Sequence, residues 1–297
     1  MDAIRDIYLS EDTIYIEPVS ACNLNCRLCY ANKFSGLNSK ILSKESIISF
    51  VDQFVSYYGH DKFTISWCGT GEIFMHKDFA ELLNYFNHAY DRGRVSHIVT
   101  TNGTIDKIDE IESLENIEFY VSIDGPKDQH EWNRGKNTYD RSIAFCKKVI
   151  DRGCKSLFVR TIVTQDNLDY LLDFEQELKD RIGDKVSLSL LMPLSSDELS
   201  KFSQASMVAR KVDDSRIFSP KETKDLILER YGNHFEIEDY DIYLGICLNY
   251  DGVFACCEGE VKLGTLESEM EEIVNGLLEA KAKCKACIAF KFCSEPW

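Results

Sequence analysis

The chain contains no long apolar run. Nowhere in its 297 residues do about 18 or more hydrophobic side chains follow one another, which excludes a helical membrane span. The N-terminus also lacks an apolar segment: MDAIRDIYLSED is acidic and has no h-region, so no secretory signal is predicted and a cytoplasmic location is expected. Basic residues are scarce. The 34 Lys and Arg against 50 Asp and Glu leave a formal charge of -16, which argues against a nucleic-acid partner, since binding that backbone requires clustered cations. The acidity reads as a means of staying soluble, and it leaves a basic peptide open as partner. Histidine is sparse as well, and His76, His88, His97 and His234 show no ligand spacing.

Cysteine is abundant instead. Twelve thiols in a reducing compartment do not read as disulfides, and clustered cysteines there point to metal or redox sites. Three fall in SACNLNCRLCYANK, with Cys22, Cys26 and Cys29 spaced C-x3-C-x2-C. Six more, Cys247, Cys256, Cys257, Cys284, Cys287 and Cys293, lie near the C-terminus. Cys68, Cys146 and Cys154 stand alone.

From residue 13 to about 192, short runs rich in Val, Ile, Tyr and Phe alternate with amphipathic segments. TIYIEP (13–18), KFTISW (62–67), VSHIVTT (95–101), IEFYVSID (117–124), SLFVRTIVT (156–164) and KVSLSLLM (185–192) predict strands. Between them the pattern predicts helices closing at Gly59, Gly93 and Gly153, the first opened by Ser43. Six such repeats predict an α/β fold: a parallel sheet curled into a full or partial (β/α) barrel over residues 1–192. Residues 193–240 read as a helical linker, with Ser219-Pro220 opening a helix through Tyr231. Residues 241–297 then read as a small second domain, with a hairpin at Asp251-Gly252 and a helix over LESEMEEIVNGLLEAKAK.

Three local thiols are one short of a closed tetrahedral zinc site. They suit a [4Fe–4S] cluster with one iron left without a protein ligand, placed after the first strand where barrel active sites form. The motif after a strand of the form IYIEP resembles that of the radical S-adenosylmethionine (SAM) enzymes. Further motifs follow in order after successive strands: GTGE (69–72) is similar to the family's GGE motif, TTNG (100–103) follows the third strand and SIDGP (122–126) the fourth. QHEWNRG (129–135) then supplies an arginine, as in the subfamily with peptide substrates.

By that resemblance, Cys22, Cys26 and Cys29 hold the cluster, and the open iron chelates the amino and carboxylate groups of SAM. Gly69, Thr70, Gly71 and Glu72 line the amino-group side, with Asn102 in the neighbouring loop also assigned to the cofactor. Ser122 and Asp124 address the carboxylate or ribose hydroxyls, and Arg134 pairs with the carboxylate. Two positions depart from the pattern: Leu28 stands where an aromatic ring is usual, and Ile73 replaces the usual proline. Cys68, just before GTGE, is a candidate hydrogen-atom donor to a substrate radical, its alternative being a small buried hydrophobe. Cys146 and Cys154 read as structural, Trp67 as core, His130 and Glu131 as surface loop residues, and Glu267–Glu272 as a solvated helix face.

The C-terminal cysteines resemble the SPASM and twitch extensions of the same enzymes, which carry auxiliary iron–sulfur clusters. The preferred assignment is one auxiliary [4Fe–4S] cluster on Cys247, Cys257, Cys284 and Cys287, with Cys256 and Cys293 as alternates. Two incomplete clusters, or a structural zinc site, fit the same spacing. The resemblance implies an enzyme that modifies a peptide by hydrogen abstraction, through crosslinking, epimerisation or oxidation, and that draws electrons from flavodoxin or ferredoxin. Dehydrogenation of a small sugar- or cyclitol-like molecule is the alternative. The dozen or so residues before the first predicted strand leave no room for a leader-recognition domain and tilt toward it. A non-catalytic iron–sulfur or zinc scaffold is the third reading.

Overall fold

The structure, a computed structural model, describes residues 8–29, 40–191, 216, 220–237, 243–255 and 261–286. Strands β1 (Tyr8–Glu17), β2 (Phe63–Trp67), β3 (Val95–Thr101), β4 (Ile117–Ser122), β5 (Ser156–Ile162) and β6 (Val186–Leu191) match the six expected runs. Helices α1 (Lys44–Tyr58), α2 (Phe79–Ala89), α3 (Lys127–Arg134), α4 (Tyr139–Asp151) and α5 (Leu171–Ile182) lie between them. The chain continues through α6 (Pro220–Tyr231), β7 (Glu236–Ile237), β8 (Tyr243–Asn249), β9 (Gly252–Ala255), β10 (Lys262–Gly264) and α7 (Met270–Ala286). The α/β class with a parallel sheet is the one the sequence predicts.

The described residues divide between two compact units, the first drawn from Met1–Ala21, Lys33–Ile98 and Tyr240–Pro296, the second from Cys22–Asn32 and Val99–Asp239. In the first, the strand order is β10-β9-β8-β1-β2. β1 and β2 are parallel, with Ile14 beside Ile65 and Ile16 beside Trp67. Helix α1 starts where it does because the Ser43 hydroxyl accepts the Ser46 N–H, and it stops because Gly59 takes φ +64°, a left-handed conformation that costs glycine little. Trp67 is fully buried among Phe79 and Phe86, and its indole N–H donates to His97 Nδ1 at 3.1 Å. Burial holds that imidazole neutral, with its pKa lowered to about 3.

A boundary of the compact units falls within two residues of the expected break at 241, and the elements after it, β8, β9, β10 and α7, group with β1 and β2 in the first unit. β8 runs parallel to β1, with Cys247 beside Tyr15 and Asn249 beside Glu17. The Asp251-Gly252 hairpin forms as expected and joins β8 to antiparallel β9. The pairing of a late strand with the first one leaves no local trace in the sequence.

In the second unit the order is β4-β5-β6-β7. β4 and β5 alternate strictly between buried and half-buried residues, as a sheet covered by helices on one face must. Phe119 faces the helices, its ring meeting Phe145 of α4 edge-on, and Phe174 and Leu178 of α5 are buried in the same unit. Cys146 and Cys154 belong to this apolar layer, where burial pushes both thiols up. Among the described residues no helix is long and apolar enough to cross a membrane.

Candidate active site

Two loops of the first unit meet at Glu17, the last residue of β1. Its carboxylate accepts the Thr70 backbone N–H at 2.5 Å and the Thr70 hydroxyl as well. Burial pushes the carboxyl above the usual range, against those two hydrogen bonds, which favour the anion. Gly69 stands at φ +124°, and a Cβ there would fall 2.2 Å from Glu17 Cγ. A Cβ on Gly71 would fall 2.1 Å from the Val19 carbonyl oxygen. The Glu72 N–H donates to Ala21 O at 2.8 Å. GTGE is therefore glycine-rich because its backbone lies directly on Glu17 and on the Val19–Ala21 segment that follows β1 and leads into the cysteine loop. Tyr250, in the β8–β9 turn, lies near Thr70, and burial pushes its hydroxyl above the ordinary tyrosine range despite the lowering influence of Thr70. Cys68, at the end of β2, is half-buried and donates its N–H to Ile16 O at 3.1 Å.

The cysteine loop itself is braced within the second unit. Cys22 Sγ accepts from Leu24 N at 3.5 Å and faces Asn102 Nδ2 at 3.9 Å. The Asn102 amide also donates to Asn23 Oδ1 at 2.9 Å, and Asn23 donates to Thr104 Oγ1 at 2.8 Å. TTNG is thus a brace for the loop, with Asn102 buried between them. On the opposite flank, Asn133 of α3 accepts Arg27 N at its backbone oxygen and Leu28 N at its side-chain oxygen, both at 2.9 Å. Arg27 Nε donates to Trp132 O at 2.8 Å, and the guanidinium carbons of Arg27 and Arg216 lie 5.3 and 4.4 Å from the Trp132 ring centroid. A cleft of about 620 Å³ opens there, lined among others by Asn25, Arg27, Glu131 and Lys136.

Asn133 carries this network inward. Its amide donates to Asp124 Oδ2 at 2.6 Å, the same oxygen that Arg134 Nε reaches at 2.6 Å. Asp124 Oδ1 accepts Arg134 Nη2 and Ile162 N, each at 3.2 Å. Asp124 and Arg134 are therefore engaged with each other inside the protein, while Ser122, at the end of β4, remains half-buried. Burial works against the Arg134 charge, but Asp124 and the thiol groups of Cys26 and Cys29 hold its pKa above the ordinary value. His130 is fully buried rather than a surface loop residue: it lies in α3, its Nδ1 accepts the Asp124 N–H at 3.2 Å, and burial lowers its pKa to about 4. The polar QHEWNR segment gave no apolar period that would have placed it in a helix.

The three thiols suit a cubane as a donor set. Among the described residues no three His, Cys, Asp or Glu side chains converge on one metal ion. A cubane spreads its thiolates over three irons and needs them farther apart, with amide N–H donors such as those at Cys22. Of the C-terminal cysteines, Cys247 lies on β8 and Cys284 in the backbone of α7, while Cys256, Cys257, Cys287 and Cys293 lie outside the described residues. The expected solvated face around Glu267–Glu272 is exposed at all of its glutamates.

The family model for the Radical SAM superfamily matches residues 16–178. An uncharacterized protein of Methanocaldococcus jannaschii is 25% identical over 190 residues, which cover 63% of this chain and 65% of that protein. The sporulation killing factor maturation protein SkfB of Bacillus subtilis is 26% identical over 166 residues, covering 54% of this chain and 38% of its own. The matched regions span less than two thirds of either relative's length. Among solved structures, native anSMEcpe with bound AdoMet superposes with a TM-score of 0.69 at 20% identity, covering 97% of this chain and 89% of that one. Streptococcus suis SuiB bound to the precursor peptide SuiA gives 0.65 at 16% identity, covering 96% and 71%.

Proposed function

The chain belongs to the radical SAM superfamily, and from that footing we propose that it cleaves SAM reductively and abstracts a hydrogen atom from a peptide. The observation that carries the reading is the loop of Cys22, Cys26 and Cys29, braced by Asn102 on one flank and Asn133 on the other. A loop held at both sides keeps three thiolates at fixed separations, as a cluster with an open iron requires.

Cys22, Cys26 and Cys29 would hold a [4Fe–4S] cluster, which supplies the electron that splits SAM into methionine and a 5′-deoxyadenosyl radical. Backbone groups of Gly69, Thr70, Gly71 and Glu72 would receive the amino group of SAM, and Glu17 keeps that loop in place. Ser122 would address the carboxylate or ribose. Asp124, Arg134 and Asn102 act behind this layer by holding the cysteine loop and α3. A second [4Fe–4S] cluster on Cys247, Cys257, Cys284 and Cys287, with Cys256 and Cys293 as alternates, would orient the substrate or take an electron back from its radical. Flavodoxin or ferredoxin would be the donor. The peptide reading is supported by the names of the relatives: SkfB is a maturation protein, and SuiB has been solved with a precursor peptide.

The test is anaerobic reconstitution with SAM and dithionite, measuring 5′-deoxyadenosine while supplying source-cell extract in separate peptide and metabolite fractions. The reading expects stimulation by the peptide fraction. Stimulation by metabolites alone would transfer the chain to small-molecule dehydrogenation. No 5′-deoxyadenosine in any tube, with the cluster present, would count against radical chemistry altogether.

A further inference from the structure

Asn102, in the TTNG loop after β3, has its carboxamide oriented by its neighbours. Its Oδ1 accepts two hydrogen bonds from Thr104, one from the backbone N–H at 2.8 Å and one from the hydroxyl at 2.6 Å. The Thr104 hydroxyl, its proton given to Asn102, accepts from Asn23 Nδ2 at 2.8 Å. Asn23 Oδ1 in turn accepts from Asn102 Nδ2 at 2.9 Å, which closes a ring of three side chains. The ring assigns the carboxamide, because a flipped amide would set Nδ2 against two donors and Oδ1 against the Asn23 oxygen. The loop backbone is held as well: Ser142 Oγ donates to Asn102 O at 2.8 Å, and Arg141 donates to Thr104 O. One amide N–H of Asn102 serves the ring. The other is turned to Cys22, with Nδ2 3.9 Å from Sγ, and Leu24 N lies 3.5 Å from the same sulfur. Asn102 is only 6% exposed, so little water competes for that donor.

We propose that Asn102 is a positioning residue that sets the reduction potential of the first cluster through Cys22, an inference that rests on the radical SAM reading. The ring by itself ties the two loops together; the contact with sulfur does something more. Hydrogen bonds to cluster sulfurs raise the potential, because they stabilise the negative charge that arrives with the electron. One electron from a flavodoxin- or ferredoxin-type donor enters, no proton moves and no bond to iron breaks. The Asn102 N–H then meets a more negative thiolate and its hydrogen bond strengthens. Because Thr104 and Asn23 have already fixed the amide, that dipole is aimed before the electron comes and needs no reorganisation. Asn102 thereby decides how readily an electron donor can load the cluster.

The test is an anaerobic redox titration of the reconstituted full chain with dithionite, without SAM, followed by electron paramagnetic resonance. The signal of the first cluster is the one that the Cys22, Cys26 and Cys29 triple alanine variant lacks. N102L removes the donor at nearly unchanged volume, N102A removes it outright, and N23A opens the ring while Thr104 still holds the Asn102 carboxamide. Losing one hydrogen bond to a charged acceptor changes the reduction equilibrium about tenfold, which for one electron is about 59 mV. N102L should lower the midpoint by about that much, N102A should lower it too, and N23A should titrate with wild type. Wild-type midpoints in N102L and N102A overturn the proposal. An equal fall in N23A also overturns it, since the ring and not the donor to sulfur would then be responsible. If N102L holds no cluster, the midpoint is read from N102A; if neither holds one, Asn102 is a brace alone and the proposal fails. A wild type that shows no such signal instead removes the radical SAM reading itself.

Discussion

Arg134 Nε lies 2.6 Å from Asp124 Oδ2, with 11% of the arginine side chain and 2% of the aspartate side chain exposed. Asn133 shares that oxygen and holds the backbone of Arg27 and Leu28, so one buried carboxylate ties α3 to the cysteine loop. Removing one partner of a buried pair leaves the other charged and unpaired.

Asp124→Asn should therefore destabilise the protein by about 3–5 kcal/mol and lower its iron content after reconstitution, read by denaturant unfolding and iron analysis. The pH dependence has a definite sign. Burial alone would raise the Asp124 pKa, but Arg134 and the Asn133 hydrogen bond overrule it and hold it below the usual carboxylate range. Its contribution is then complete above the unfolded pKa of about 4 and is lost as pH falls through the native value. An unfolding midpoint for Asp124→Asn equal to that of wild type at neutral pH would remove this network from the argument.

Glu17 titrates in the opposite direction. Burial raises its native pKa, so its contribution is complete below the unfolded pKa and declines as pH rises through the native one. Glu17→Gln keeps an acceptor for the Thr70 N–H and has no charge to lose. The melting temperature of the glutamine variant relative to wild type should rise between about pH 4 and pH 8. A difference that stays flat across that range contradicts the assignment of a strained, buried carboxyl.

How much of this was legible in the sequence depends on how local each feature is. The caps of α1 at Ser43 and Gly59 were read correctly because a cap involves residues three or four apart. Helix α2 was expected to run to Gly93, yet it stops at Ala89, because Asp91 itself turns left-handed at φ 61° and its carbonyl accepts the N–H groups of Arg94 and Val95. Helix α3 shows no apolar period, since Trp132 is the one large apolar residue among its eight. The cysteine loop and GTGE announce themselves by type and spacing. Asn23, Asn133 and Arg160 do not, for their partners lie 81, 105 and 40 residues away along the chain in Thr104, Leu28 and Tyr120. Only folded pairings give such residues a role.

The glycines of GTGE make a sharper prediction. A methyl group on Gly71 would overlap the Val19 carbonyl, which is backbone and cannot step aside as a side chain would. A methyl group on Gly69 meets Glu17 and also forces a left-handed backbone on alanine, which costs on the order of 1 kcal/mol. Gly71→Ala should weaken SAM binding at least 10-fold, about 1.4 kcal/mol, while leaving the iron content of the first cluster intact, as equilibrium dialysis and iron analysis will show. Unchanged SAM affinity in Gly71→Ala would mean that this loop does not receive the cofactor.

Iron stoichiometry separates the two cysteine groups. If both hold cubanes, reconstituted wild type carries about eight irons, and the Cys22, Cys26 and Cys29 triple alanine variant keeps about four while losing all SAM cleavage. The quadruple variant of Cys247, Cys257, Cys284 and Cys287 should also keep about four, with 5′-deoxyadenosine still formed in the absence of peptide, because the cysteine loop and GTGE are intact. Its peptide-stimulated turnover should fall. Cys247 makes this variant informative about structure as well: it sits on β8 beside Tyr15 of β1, so alanine there removes a ligand without disturbing a backbone hydrogen bond. Zinc in place of iron at these positions would convert the C-terminal group into a structural site. A quadruple variant that retains the full wild-type iron would show that these four cysteines hold no cluster at all.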